Sequence, residues 1–231
     1  EPKGDKTART TAVTAEEVLA NDLENSAVFT LTRAWMPGEQ PFDIQATVGG
    51  QWSVSGNTVK LTGEVRDVPA RRPLLVREYR GSQAEWRSPV HAFADDVVRQ
   101  FTGEPGVAQT RIAFIGGQGK VKELYVMDFD GARLRALTAD QSLALSPAWS
   151  PEGSLLLFTS YRGGAGPRLF VISSSGGKPF LVSGRPGINT CGSYSPDGRQ
   201  VVCALSFEGN SEIYLLDARG ASSPPLTNIR G

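Results

Sequence analysis

Two five-residue stretches, Trp149-Ser150-Pro151-Glu152-Gly153 and Tyr194-Ser195-Pro196-Asp197-Gly198, recur 45 residues apart (149 to 194). Each sits between the same neighbours. Apolar runs precede them at 124–128 and 169–172, and follow them at 155–158 and 201–205. A third copy opens with Ile213-Tyr-Leu-Leu-Asp217. Gly-ended turns recur in step at Asp130-Gly131, Ser175-Gly176 and Arg219-Gly220. A period of this length, made of short strands and Gly-rich turns, predicts β-propeller blades or a similar all-β repeat. In the Ser-Pro-acid-Gly turn, Pro presets φ and Gly takes the left-handed position. The flanking runs then read as paired strands buried by the next blade. Trp149 and Tyr194 supply large packing elements between blades.

Composition narrows the class further. At 231 residues the chain has room for one or two domains, each with a core. Its 24 basic and 24 acidic residues balance, so nucleic-acid binding has no electrostatic support. Twenty-six Gly and 15 Pro suit a turn-rich β protein. No apolar run approaches the roughly 20 residues of a membrane helix, and no signal peptide is visible. The chain begins with Glu1 rather than Met, which is as consistent with a mature or trimmed protein as with a cytoplasmic one. Cys191 and Cys203 bracket the second turn, almost opposite each other in a hairpin. That placement allows a cross-strand disulfide and equally allows two buried thiols.

Upstream of the repeats the pattern changes. Residues 1–12 read as a mobile lead-in. Thr14 with Glu17 is a capping box, and Ala15, Val18, Leu19 and Leu23 form the apolar face of a helix ending at Asn25-Ser26. Residues 27–31 read as a strand and 35–41 as a loop. Residues 46–54 and 58–65 read as a hairpin about Ser55-Gly56-Asn57. In the second arm Val59, Leu61, Gly63 and Val65 alternate with Lys60, Thr62 and Glu64, so one face is buried and one is wet. Residues 74–79 add a strand. A second helix opens at Ser88-Pro89 and ends at Thr102-Gly103. The expected architecture is therefore α+β in two domains: a small α/β domain over 13–106, then an incomplete β-propeller of about two and a half to three blades over 107–231.

On these motifs the chain resembles the TolB family. WSPEG and YSPDG, with LYVMDFDG, LFVISSSG and IYLLDARG, look like its propeller repeats. The junction is the more specific signal: His91, Asp95, Phe101-Thr-Gly103 and then Thr110-Arg-Ile-Ala-Phe114 opening the first blade strand. The resemblance spans 14–231, is dense from 91 onward and weak before 60. It implies a non-catalytic periplasmic scaffold of the Tol-Pal system, serving outer-membrane integrity. Such a scaffold docks the lipoprotein Pal through the propeller, which places it peripherally at the outer membrane, and TolA through the N-terminal region. TolB propellers have about six blades and a strand with a partner-binding tail ahead of the first helix; both ends of this chain therefore look cut. An open array leaves an apolar blade face, so self-association through that face is expected. The same repeat occurs in prolyl-oligopeptidase-like peptidases, whose catalytic domain would be absent here, and in propeller modules with unrelated partners. The α/β domain and its junction argue against the peptidase.

Little in the chain suggests chemistry. His91 is the only histidine, with Asp95 one turn on; an ordinary helix-surface or interdomain hydrogen bond accounts for it. Asp95-Asp96 reads as a solvated helix face or a contact to Arg111. Gly163-Gly-Ala-Gly166 and Gly116-Gly-Gln-Gly119 complete no phosphate loop and sit at expected blade turns. There is no GxSxG, and two Cys with one His make no common zinc site. No cofactor, metal or catalytic residue is expected. Binding surfaces remain: loops entering the innermost strands line one mouth of a propeller channel. Those loops are 140–146 and 184–190, which makes Gln141, Ser142, Arg185 and Asn189 the candidate partner contacts.

Overall fold

From Asp5 to Asn25 the chain has neither Pro nor Gly, so nothing interrupts a helix, and α1 runs Gly4–Asn25. The computed structural model describes residues 4–32, 43–218 and 222–226; at 4–13, Cys191 and 222–225 it describes the backbone alone. The expected lead-in is thus corrected: its backbone is helical from Gly4. The Thr14–Glu17 pattern lies inside a breaker-free segment and marks no boundary. Ala15, Val18 and Leu23 are buried. The helix closes as expected: Ser26 Oγ donates to the Leu23 carbonyl at 2.6 Å, and Ala27 turns left-handed at φ 56°. The strand expected at 27–31 is corrected too, for residues 28–32 join no strand. Phe29 and Leu31 instead pack on the first core, Phe29 edge-on to Phe101 at 5.4 Å. The expected loop at 35–41 lies outside the described residues.

Three strands follow in an antiparallel meander: β1 (Ala46–Ser55), β2 (Thr58–Asp67) and β3 (Arg72–Ser82). The hairpin register runs from Ala46 opposite Asp67 to Ser55 opposite Thr58. Along β2 the predicted alternation holds, with Val59, Leu61 and Val65 buried. That face receives α2 (Arg87–Thr102) through Val90, Phe93, Ala94, Val97 and Val98. The helix starts two residues earlier than expected, at Arg87 rather than Pro89. Trp86 occupies the cap position without a side-chain cap bond, and Pro89 still falls in the first turn, where its missing N–H costs nothing. Asp95 and Asp96 prove structural. Asp95 accepts the Ala108 amide at 2.7 Å and Gln109 Nε2 at 3.0 Å. Asp96 accepts from Arg77 at 2.8 Å and from Tyr79 at 2.7 Å. Burial and the Asp96 charge hold the Tyr79 hydroxyl well above the usual phenol range. These residues, with the turn 128–132, form the first of two units; 111–127 and the chain from 133 form the second.

The second unit carries three sheets, each with its strands in chain order. The first has β4 (Arg111–Gly116), β5 (Glu123–Asp128) and β6 (Arg135–Ala136). The next is the meander β7 (Ala144–Trp149), β8 (Leu155–Ser160), β9 (Arg168–Ser173) and β10 (Phe180–Ser183). The last has β11 (Asn189–Tyr194), β12 (Gln200–Leu205), β13 (Glu212–Asp217) and β14 (Ser222–Pro225). These are blades, and the repeated turn is repeated atom for atom. Ser150 Oγ accepts the Leu155 amide at 3.0 Å and Ser195 Oγ accepts the Gln200 amide at 3.0 Å. The Gly153 and Gly198 amides close the turns on the Ser150 and Ser195 carbonyls, each at 2.9 Å. Both glycines are left-handed, at φ 70° and 71°.

Period-2 alternation makes the middle blade two-faced. Leu156, Phe158, Phe170 and Ile172 pack with Leu124 and Val126 of the first blade, alongside Trp149. Leu157, Leu169 and Val171 point the other way and pack with Val201, Cys203, Leu205, Tyr214 and Leu216, alongside Tyr194. The two repeat aromatics therefore lie at successive seams, as expected of them. At the first seam Arg111 lies over the Trp149 ring at 5.0 Å and donates to the Gly153 carbonyl at 2.7 Å, which is its role in place of a contact to Asp95 or Asp96.

Cys203 is a free, buried thiol, and burial pushes its pKa up to about 11; the side chain of Cys191 lies outside the described residues. In a Cys191→Ser background the remaining thiol is expected to resist Ellman's reagent in native buffer and to react fully in denaturant. Rapid native labelling would contradict the packed seam.

Candidate interaction site

The turns between strands and the loops between blades lace together at one end of the sheets. The loop entering β7 starts against the preceding blade, where the Lys122 amide donates to the Ser142 carbonyl at 2.9 Å. Gln141 is left-handed, at φ 53°. Its amide donates to buried Glu123 at 2.8 Å, and Thr138 Oγ1 bonds the same carboxylate. Glu123 thus fixes the loop from below, leaving the Gln141 side chain exposed and Ser142 half-buried.

One residue earlier Asp140 pairs with Arg162 of the β8–β9 turn. Burial raises the Asp140 pKa, with Glu123 adding to the rise and Arg162 opposing it. The Arg162 guanidinium spreads over Phe158 and Phe170, 5.6 and 4.6 Å from the ring centres. The next blade uses the same chemistry with the partners exchanged: Arg185, on the loop into β11, lies over Phe207 of the β12–β13 turn at 4.2 Å. Val121, Tyr161 and Ile188 are exposed on the same turns and loops. Anchored arginines beside exposed aromatic and aliphatic side chains are the composition of a protein-binding surface.

Asn189 has a different task from the one expected. It is fully buried. Its Oδ1 accepts from Ser183 at 2.7 Å and from the Arg185 amide at 3.2 Å. Its Nδ2 donates to the carbonyls of Pro167 at 3.1 Å and Arg185 at 2.8 Å. The amide side chain shapes the loop and ties it to the preceding blade, so only the loop it builds is open to a partner. Gln141, Ser142 and Arg185 lie on successive loops of this rim. Sequence reasoning missed Tyr161, Arg162 and Phe207 because it followed loops entering blades; the β8–β9 and β12–β13 turns, in the same 45-residue register (162 to 207), were the available signal. The glycines 163, 164 and 166 build the first of these turns, all with positive φ. His91 pairs with Asp22 of α1, at 2.6 Å, rather than with Asp95.

Among the described residues no helix is long and apolar enough to cross a membrane. Residues 98–231 match the model of the TolB beta propeller domain. The chain is 38% identical over 182 residues to the protein TolB homolog of Chlorobium chlorochromatii, covering 79% of this chain and 41% of that protein. It is 36% identical over 184 residues to the Tol-Pal system protein TolB of Desulfosudis oleivorans, covering 80% and 42%. The chain thus spans about two fifths of the length of these relatives. Among solved structures, TolB from Acinetobacter baumannii superposes with a TM-score of 0.84 at 24% identity, over 93% of this chain and 57% of that one, and so shares the fold. With the family match covering more than half of its length, and with blades built on the repeated Ser-Pro-acid-Gly turn, the chain belongs to the TolB β-propeller family.

Proposed function

We propose that the chain is a non-catalytic, protein-binding scaffold of the periplasm that acts in the Tol-Pal system. The blade rim docks Pal, and the N-terminal region, within a domain spanning about 13–106, engages TolA. The observation that carries this reading is the rim itself: two arginines held over aromatic rings, with Tyr161 and Ile188 exposed beside them. Preorganised aromatic and Arg side chains give up little conformational entropy on binding, and such residues dominate interface energetics. The names of the relatives favour Tol-Pal proteins as the partners.

The test is titration calorimetry of the chain with the soluble domain of Pal. Wild type is expected to bind, and Tyr161→Ala with Arg162→Ala to weaken binding about thirtyfold, equivalent to roughly 2 kcal/mol. An unchanged affinity in the folded double variant would remove the rim from the interface. Absence of binding by the wild type would remove Pal.

A further inference from the structure

In the first unit three residues far apart in sequence meet in the interior. Asp22 comes from α1, His91 from α2, and Asp130 from the turn after β5. One donor atom of each lies within 4.8 Å of the others. Asp22 and His91 are almost wholly buried, at 2% and 3% exposure, and the Asp130 side chain is 2% exposed. Asp22 Oδ2 and His91 Nδ1 are 2.6 Å apart. Arg87 pairs with Asp130 Oδ2, and the Ala132 amide donates to Asp130 Oδ1 at 3.0 Å.

Two features remain unexplained by these contacts. Asp22 Oδ1 and His91 Nε2 are buried without a hydrogen-bond partner among the described residues, although buried polar atoms are rarely left unmatched. Asp22 and Asp130 are two buried carboxylates beside one guanidinium, that of Arg87, and buried negative charge is costly unless it is matched. A bound cation answers both.

We propose that Asp22, His91 and Asp130 form a binding site for a divalent transition-metal ion of the zinc class. One imidazole with two carboxylates is a donor set for such metals, whereas calcium and magnesium prefer oxygen alone. Bonds of about 2.0–2.2 Å keep ligands within about 4.4 Å of one another, so the observed grouping closes on a metal by a few tenths of an ångström. The ion pins the 128–132 turn to α1 and α2, and Arg87 orients Asp130 from outside. The site differs from the Cys/His zinc sites that the composition disfavours, because carboxylates supply two of the three ligands.

Equilibrium dialysis of the full chain against Zn²⁺, followed by elemental analysis, tests this. About one zinc per chain is expected, with Asp22→Asn and His91→Gln each weakening binding by about tenfold or more. Cys191→Ser with Cys203→Ala should retain the metal. If either site variant fails to fold by circular dichroism, the Co²⁺ spectrum of the wild type decides: d–d bands without a thiolate charge-transfer band support the site, and their absence overturns it. No uptake by folded wild type overturns the proposal. Uptake lost with the cysteines, or unchanged in folded Asp22→Asn, overturns it equally.

Discussion

Gly63→Ala is expected to lower the stability of the first unit by about 2–3 kcal/mol, in the range of overpacked cores. Gly63 sits mid-strand in β2, paired with Gly50 on one side and Arg77 on the other. Its backbone cannot step aside without disturbing both ladders. A methyl there would lie 2.6 Å from two atoms of the Phe93 ring and 2.8 Å from a third. Phe93 is fully buried and also packs on Tyr79, at 5.6 Å between ring centres, so the ring has nowhere to go. Gly49 is the control. It lies in β1 of the same sheet, and a methyl there meets nothing within 4 Å; Gly49→Ala should be neutral or slightly stabilising. Urea unfolding, with hydrogen exchange of the β2 amides, reads both. Phe93→Leu should recover part of the loss in the Gly63→Ala background, because the two positions couple directly. Equal effects of the two glycine substitutions would show that the helix does not rest on β2 as described.

The alternation in β2 made this face legible: Val59, Leu61, Gly63 and Val65 fall on one side by period alone. The blades were legible for a stronger reason. Their signal is repeated, so strand, turn and seam aromatic each appear twice in register. What stayed hidden depends on pairings across long stretches of chain. Asp22 and His91 are separated by 69 residues, and the histidine's sequence neighbours favoured Asp95 as its partner. Asp95 looked solvated because helix periodicity says nothing of a turn thirteen residues on that donates two amides to it. Asn189 looked like an exposed loop residue because its type is common in loops; its hydrogen-bond partners come from the loop itself and from Ser183 and Pro167. The start of α1 was misplaced for the opposite reason. A local capping pattern at Thr14 was given more weight than the absence of any residue to stop the helix.

Leu157→Ala and Val202→Ala probe the same blade position, 45 residues apart, and are expected to differ sharply. Leu157 in β8 is fully buried at the seam between the second and third blades; its truncation should cost about 3 kcal/mol. Val202 in β12 occupies the equivalent place in the third blade, yet it is 37% exposed. Ile213 of β13, equivalent to Leu169, is exposed as well, and Leu215, equivalent to Val171, is half-buried. The described residues thus present the third blade's outer face with side chains of the kind that the second blade buries. For the isolated monomer Val202→Ala should change stability by less than about 0.5 kcal/mol. An apolar face of this shape is complementary to another blade, and a second copy of the chain carries one, so light scattering should show association that Val202→Asp with Ile213→Asp abolishes. A charge in a desolvated seam is costly, whereas on an open surface it is nearly free. If the chain remains monomeric at every concentration and the aspartates leave both its stability and its scattering unchanged, no copy covers that face. If Val202→Ala instead costs as much as Leu157→Ala, with the loss growing on dilution, the seam between copies is built like the seam between blades.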